Sequence, residues 1–455
     1  MKKRTQKLAV LFLTGILTTV VAAGCGGGGT SSDAGTDTST AESTETETEG
    51  AAEVSSDDIG EPNGGAEVTL WHYFEHEADA LNQMVKQYNE SQSDIYIVPT
   101  FVSRDELMKQ YTIGAVSGEL PDIGMVDSPD MASYISLGVF EDITEYVGDW
   151  EDLDQFYEGP LASVKDAEGN IYGLPNNSNC LAIACNMDIL RAAGIENPPT
   201  TWEEFREVCE KTTNEAEGVY GFAMCSISNE EGTFQYIPWL YGAGGDVTDI
   251  DSDAAVESLT FLSDLVKDGY MSKEVVNWGQ GDAYNAFLAG KAAMLESGTW
   301  QIATLDGQDK DKVTFDYEYV AMPMNGENQA TCIGGENFGV CAGSEYVEEC
   351  ADFLMSMMSA QNNADWCEIA GKLPVRGDAV ELKDFWTADA RYKVFNDSMN
   401  FAVARGPHES WPTISEAIYT AEQSAILGEK TPEEALAEAA ATIDPILEET
   451  PIATQ

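Results

Sequence analysis

Apolar positions along this chain change period several times, and each change marks a predicted element. Leu8 to Val21 is an unbroken apolar run behind Lys2, Lys3, Arg4 and Lys7, too short to span a bilayer with margin. From residue 26 to 65 apolar positions become sparse and Gly, Ser, Thr and Glu take over, a composition that cannot build a core. At Val68-Thr69-Leu70-Trp71 the pattern becomes that of a strand. An amphipathic helix follows from Ala78 to Asn89, with Leu81, Met84, Val85 and Tyr88 on one face. Ile95 to Phe101 predicts a strand, the run through Leu107, Tyr111 and Ala115 a helix, and Asp122 to Val126 a third strand. Strands alternating with helices of this length predict an α/β fold with a mostly parallel sheet covered by helices. Ligands of such sheets bind beyond the carboxyl ends of the strands.

The pattern then repeats with interruptions. Ile171 to Pro175, Cys180 to Asn186, Gly218 to Cys225 and Lys291 to Ser297 read as extended, and Ala254 to Lys267 as a helix. Thr201 with Glu204, and Thr431 with Glu434, are capping boxes that open helices, the second running to about Glu448. A chain of 455 residues exceeds what one core supports, so two domains are expected.

Charge removes several functional classes. Lys and Arg number 23 against 80 Asp and Glu, a formal charge of −57. Nucleic acid needs clustered bases, so none is expected as a partner. Anionic lipid would not hold such a chain electrostatically either. Beyond Cys25, the cysteines at 180, 185, 209, 225, 332, 341, 350 and 367 form no Cys-x-x-Cys and lie near no His in zinc-ligand spacing. They are expected to be mostly buried thiols with at most one or two bridges, and no metal or cofactor is expected.

His72-Tyr73-Phe74-Glu75-His76 matches the H-x-x-E-H order of inverted zinc peptidases. It follows directly on a strand, however, where a ligand-facing loop is expected instead of a zinc helix. Glu75 and Asp127 would be the carboxylates of a glycosidase, although no spacing singles them out among so many acids. Nucleophile-elbow, phosphate-loop and dinucleotide motifs are absent from the sequence. The positive signal is aromatic. Trp71, Phe234, Tyr236, Trp239 and Trp300 stand near glycines at predicted strand–loop junctions. Rings beside carboxylates and amides are what a sugar needs, since its C–H face stacks while its hydroxyls hydrogen-bond.

Val21-Ala22-Ala23-Gly24-Cys25 closes the leader. It resembles a bacterial lipobox, in which residues 1–24 are a signal peptide and Cys25 is diacylated. Two acyl chains give stable anchoring, at about 0.8 kcal/mol per buried methylene. Residues 25–65 then read as a lipidated, disordered acidic tether of roughly 40 residues.

Several ordered motifs carry a wider resemblance: Pro121-Asp122-Ile123, Leu137-Gly138-Val139-Phe140-Glu141-Asp142-Ile143-Thr144, Gly169-Asn170-Ile171-Tyr172-Gly173-Leu174-Pro175 and Pro199-Thr200-Thr201-Trp202-Glu203-Glu204-Phe205. Phe287 with Gly290-Lys291-Ala292-Ala293-Met294, Gly298-Thr299-Trp300, Gly334-Gly335 with Asn337-Phe338-Gly339, and Leu373-Pro374-Val375-Arg376 continue the series. In this order the chain resembles the extracellular solute-binding proteins of bacterial ABC transporters, in the sugar-binding group that includes maltose-binding protein. The resemblance implies a periplasmic-binding-protein-like type II fold, with two α/β lobes, a central ligand cleft and three hinge crossings. The crossings are expected near Pro175–Asn179, Pro323–Thr331 and Ile369–Pro374. Lobe one is then 66–175 and 327–371, and lobe two 176–326 and 372–455.

By the same resemblance, Tyr73, Glu75 and His76 belong to the loop that contacts sugar hydroxyls, and Asp127 to the loop after Pro-Asp-Ile. Asn179 falls at the first crossing, Phe234, Trp239 and Trp300 match aromatic platforms, and Arg405 matches a cleft-directed arginine. Gly335 and Glu336 fall where relatives often carry Gly-Trp, so Glu336 removes a possible ring. The expected function is a lipid-anchored, monomeric, non-enzymatic receptor that captures a carbohydrate, most simply an oligosaccharide, by hinge closure. It would deliver the sugar to the permease of an ABC importer from the outer face of the membrane. The alternatives left open are a surface glycoside hydrolase and a receptor of the same fold for a non-sugar solute.

Overall fold

The computed structural model describes residues 56–75 and 77–452. The expected leader, Cys25, most of the expected tether and His76 lie outside the described residues. No helix among the described residues is long and apolar enough to cross a membrane.

Among the described residues there are eleven strands: β1 (Ala66–His72), β2 (Ile95–Phe101), β3 (Ile123–Asp127), β4 (Gly173–Pro175), β5 (Leu181–Asn186), β6 (Tyr220–Ala223), β7 (Ala292–Gly298), β8 (Tyr317–Val320), β9 (Thr331–Cys332), β10 (Glu336–Val340) and β11 (Ala402–Val403). They form a five-stranded sheet in the order β2-β1-β3-β10-β4, a four-stranded sheet in the order β6-β7-β5-β8, and the small pair β11-β9. This is the two-lobe α/β architecture that the motif order implies. As expected, most strands of each sheet point one way, and each sheet carries one reversed strand. β1 runs parallel to β2 and β3, but β10 is antiparallel to both β3 and β4, and β5 is antiparallel to both β7 and β8. The reason is connectivity: β5 and β10 each enter a sheet straight from the other one, so they need no helical crossover and run against their neighbours.

All six residues of β5 are buried. Leu181, Ile183 and Cys185 pack into the second lobe's core, while Ala182 and Ala184 pack into the other large cluster. Alternate residues of a strand face opposite ways, so burial on both sides means that helices cover both faces. All eight cysteines after Cys25 are free and buried.

The last ten residues of the expected tether belong to the folded body. Ile59 is buried, Asn63 Nδ2 donates to the carbonyls of Asn89, Gln92 and Ile95, and Tyr96 OH donates to Gly60 O. One apolar side chain and one amide reaching three carbonyls are enough to dock a segment whose composition alone reads as linker.

The chain leaves the first sheet at Pro175 and enters the second at Leu181; it returns between Val320 and Glu336. These passages are joined by hydrogen bonds. Asn179 and Gly334 exchange both backbone bonds, at 3.0 and 2.9 Å, and Ser178 and Leu373 do the same at 2.8 Å each. After Leu373 the chain stays with the first lobe, because Tyr157 N donates to Val375 O and Phe156 pairs with Arg376. The helix Ala390–Ser398 then packs on β5 and β8, so the third passage comes later than Ile369–Pro374. Gly335 has φ 150°, and a Cβ there would sit 2.2 Å from Asn177 O. Gly335→Ala is therefore expected to cost about 2 kcal/mol or more, read as a lower urea midpoint.

Two acids lie in the core of the second lobe. Glu296 on β7 accepts from Trp239 Nε1 at 2.8 Å, and Glu422 on the helix Trp411–Ile426 bonds to Ser226. Glu296 Oε1 and Glu422 Oε2 have no partner among the described residues. Burial pushes the Glu422 carboxyl up to about 8 and raises that of Glu296 well above its ordinary value. The unfolded carboxyls ionise near 4.5, so above that pH the unfolded chain binds fewer protons than the folded one. The stability that these two carboxyls contribute is then fully present below about 4.5 and is lost as pH rises toward 8. Glu422→Gln is expected to flatten that decline in melting curves collected across the same window.

Candidate functional site

The loops beyond the carboxyl ends of β1, β2 and β3 face the second lobe across a cleft of about 440 Å³. From the first lobe it is lined by Tyr73, Glu75, Glu77, Ser103, Arg104 and Asp127. The hinge contributes Asn179, Gly334, Gly335, Glu336 and Lys372, and Arg405 lies beside it. The second lobe supplies Glu231 and Phe234 from the helix Glu230–Gly242, Trp300 and Gln301 just after β7, and the start of the helix Gln280–Leu288.

Phe234 and Trp300 form one wall, with ring centroids 6.4 Å apart and planes inclined by 31°. Trp300 lies so close to its own strand end that a Cβ at Gly298 would fall 1.8 Å from the ring. That contact is the physical content of the Gly-x-Trp motif. The two rings are each capped by a cation, since the Arg405 guanidinium lies 4.3 Å from the Phe234 centroid and Lys372 Nζ 5.1 Å from that of Trp300.

Charges at the floor are paired. Asp127, at the end of β3, receives Arg104 Nη2 at 2.6 Å and Arg405 Nη1 at 3.3 Å. Arg405 also binds Glu230, which in turn accepts from Trp411 Nε1 at 3.1 Å and from Ser415. Burial opposes ionisation of Asp127, but Arg405 and Arg104 together hold its carboxyl below the usual range. Asp130, one turn beyond, has the opposite fate: burial, with Glu230 and Asp127 nearby, pushes it up to about 8. On the other side Lys372 Nζ lies 3.0 Å from Glu77 and 3.8 Å from Glu336. Burial alone would lower the Lys372 ammonium, and the two carboxylates raise it instead.

Against these pairs stand polar atoms without a partner among the described residues: Tyr73 OH, Asn179 Oδ1, Gln301 Oε1 and Arg405 Nε. Buried polar atoms are normally satisfied. With Glu336 Oε2, five such atoms belong to residues that line this cleft, and hydrogen-bonding groups of a ligand could meet them there.

Of the residues expected at the site, Tyr73, Glu75, Asp127, Asn179, Phe234, Trp300, Gly335, Glu336 and Arg405 all line this cleft. Trp239 does not. It is wholly buried, stacked on Phe261 at 5.6 Å and bonded to Glu296. Phe234 and Trp239 sit on one helix, where five residues turn the side chain by about 140° from the first direction. If one faces the cleft, the other must face the core. His72 is packed between Phe74 and Phe101, and burial lowers its imidazole to about 4 even with Glu77 nearby. It is a neutral core residue, and no group of three or more His, Cys, Asp or Glu among the described residues is arranged to hold a metal ion.

Arg104, Lys372, Gln301 and Glu231 are cleft residues that sequence reasoning missed. Arg104 stands three residues beyond the end of β2, so the rule that points to Tyr73 and Asp127 would have found it too.

A family model described as bacterial extracellular solute-binding protein matches residues 83–394. A binding protein of Brucella abortus (strain 2308) is 24% identical over 404 residues, which is 87% of this chain and 95% of that protein. The arabinooligosaccharide-binding protein of Bacillus subtilis (strain 168) is 23% identical over 400 residues, 84% of this chain and 83% of its own length. Among solved structures, an ABC transporter solute-binding protein of Thermotoga lettingae bound with α-D-tagatose has a TM-score of 0.78 at 25% identity. That match covers 84% of this chain and 100% of the other. The two sheets, the cleft between them and a family match over more than half of the sequence agree: the chain belongs to the bacterial extracellular solute-binding proteins.

Proposed function

We propose that this protein is a receptor that captures a carbohydrate in the cleft and presents it to the permease of an ABC importer. The observation that carries the reading is the Phe234–Trp300 wall facing a cleft that also holds unpartnered Asn179 Oδ1 and Gln301 Oε1. A sugar ring offers a C–H face to the first and hydroxyl donors to the second. Binding and closure of the lobes are the whole mechanism, with no bond made or broken. Asp127, held ionised between two arginines, is no proton donor for glycoside cleavage.

The same reading places the protein on the outer face of the membrane as a monomer. The signal-like leader ends in Cys25, and acylation there would supply the anchor. Cys25→Ser is expected to release the receptor from the cell fraction into the medium, and unchanged fractionation would remove the lipid anchor from the proposal.

Protein lacking residues 1–24, screened against neutral mono- and oligosaccharides, is expected to gain thermal stability with at least one of them. Absence of any stabilisation or tryptophan fluorescence change across a broad panel would overturn the carbohydrate assignment. Turnover of a chromogenic glycoside, abolished by Glu75→Gln, would replace it with a hydrolase.

A further inference from the structure

The cleft contains three cations among its described residues, and each already has a carboxylate. Arg104 is on Asp127, Arg405 is on Asp127 and Glu230, and Lys372 is on Glu77 and Glu336. Glu75, Glu231 and Asp282 add negative charge to the same lining. A ligand anion entering here would meet surplus carboxylates and no guanidinium that is not already engaged.

The arrangement at Asp127 goes further than a simple pair. Its Oδ2 lies 2.6 Å from Arg104 Nη2 and 3.3 Å from Arg405 Nη1, while its Oδ1 lies 3.4 Å from Arg405 Nη2. One carboxylate thus bridges two guanidiniums, the geometry with which arginines take up phosphate or a carboxylate from a ligand. The site is built: Asp127 and Arg405 are each 5% exposed, and the Phe234 face backs the Arg405 guanidinium. Resting on the receptor reading above, we propose that Asp127 determines the charge specificity of the cleft. Its carboxylate fills from within the protein the place that a ligand phosphate or carboxylate would take between Arg104 and Arg405. The cleft accordingly accepts uncharged saccharides and refuses phosphorylated or uronate sugars.

Asp127→Asn removes the internal anion while keeping the size of the side chain, and takes from Arg104 the one ion pair it makes among the described residues. Inorganic phosphate and glucose 6-phosphate, with glucose as the uncharged control, serve as probes in calorimetry at low salt. Wild-type protein is expected to bind neither phosphate. The Asp127→Asn protein is expected to bind both, at least about tenfold tighter than the weakest binding that the calorimeter detects, corresponding to ~1.4 kcal/mol. The gain should weaken with added salt and vanish when Arg104→Gln is added. Phosphate binding by wild type would overturn the proposal. So would a folded Asp127→Asn protein, by circular dichroism, that gains no anion affinity. Should that variant not fold, Asp127→Ser also removes the charge and leaves room for the anion itself, while the wild-type arm stands without either variant. Failure of every neutral sugar to bind wild type would sink the receptor's carbohydrate reading and leave these phosphate outcomes to be read separately.

Discussion

Arg405→Ala is expected to destabilise the folded protein by about 3–5 kcal/mol, because it strands buried charge. The side chain of Arg405 is 2% exposed, and its partners Asp127 and Glu230 are 6% and 10% exposed. Removing the guanidinium leaves Asp127 with Arg104 alone and leaves Glu230 with only the Trp411 and Ser415 donors. The favourable energy of the intact cluster is modest, since desolvation of the ions offsets much of their attraction. The penalty for breaking it is large because nothing then offsets that desolvation. Arg405→Lys is expected to restore only part of the loss, as an ammonium is a point donor and cannot span two carboxylates as the planar fork does. Urea unfolding at neutral pH is the measurement. A loss below about 1 kcal/mol would mean that water replaces the guanidinium, and the buried-cluster argument would fail.

The second large effect falls on affinity. Trp300→Ala is expected to weaken binding of a saccharide found in the screen by about 30-fold, or ~2 kcal/mol. The ring is one half of the wall, is held by contact with Gly298 and carries Lys372 on its face. Trp300 is also 8% exposed and packs in the second core, so the variant loses stability as well, about 3 kcal/mol or more. Calorimetry well below the melting midpoint separates the two losses, and Trp300→Phe, which keeps a ring, should recover part of the affinity. Unchanged affinity in the alanine variant would show that the sugar binds elsewhere.

The sequence was most informative where local chemistry decides structure. Ile95–Phe101 forms the strand that its apolar run predicts, and Thr431 with Glu434 forms the capping box that starts the Pro432–Glu449 helix. At Thr201 the same motif is only half realised: Thr201 caps Glu204 N, but the Glu204 carboxylate turns to Thr200 instead. The helix Glu230–Gly242 was hidden because Gly232, Pro238 and Gly242 interrupt it and it is buried on nearly every side, so no apolar stripe reveals it. That loss of period is also why Trp239 was misread as a platform. The charge network was invisible for another reason. Arg104 and Arg405 stand 23 and 278 positions from the carboxylate they share, and no local pattern encodes such pairings. Single aromatics could be matched to a motif; single bases in polar stretches could not.

The hydrogen-bonded hinge segments have a mechanical consequence. Ser178 bonds one neighbour and Asn179 the other, so the first passage is the middle member of a three-strand ribbon. A ribbon flexes easily across its face, but sliding within its plane would break every one of those bonds together. Through this ribbon, bending of one lobe toward the other is easier than sliding. Bending of that kind would carry the rings of Phe234 and Trp300 toward Arg104 and Asp127 along a path that the backbone guides. Alignment of the two half-sites is thus inherited from the backbone and does not have to be found anew at each encounter with a ligand.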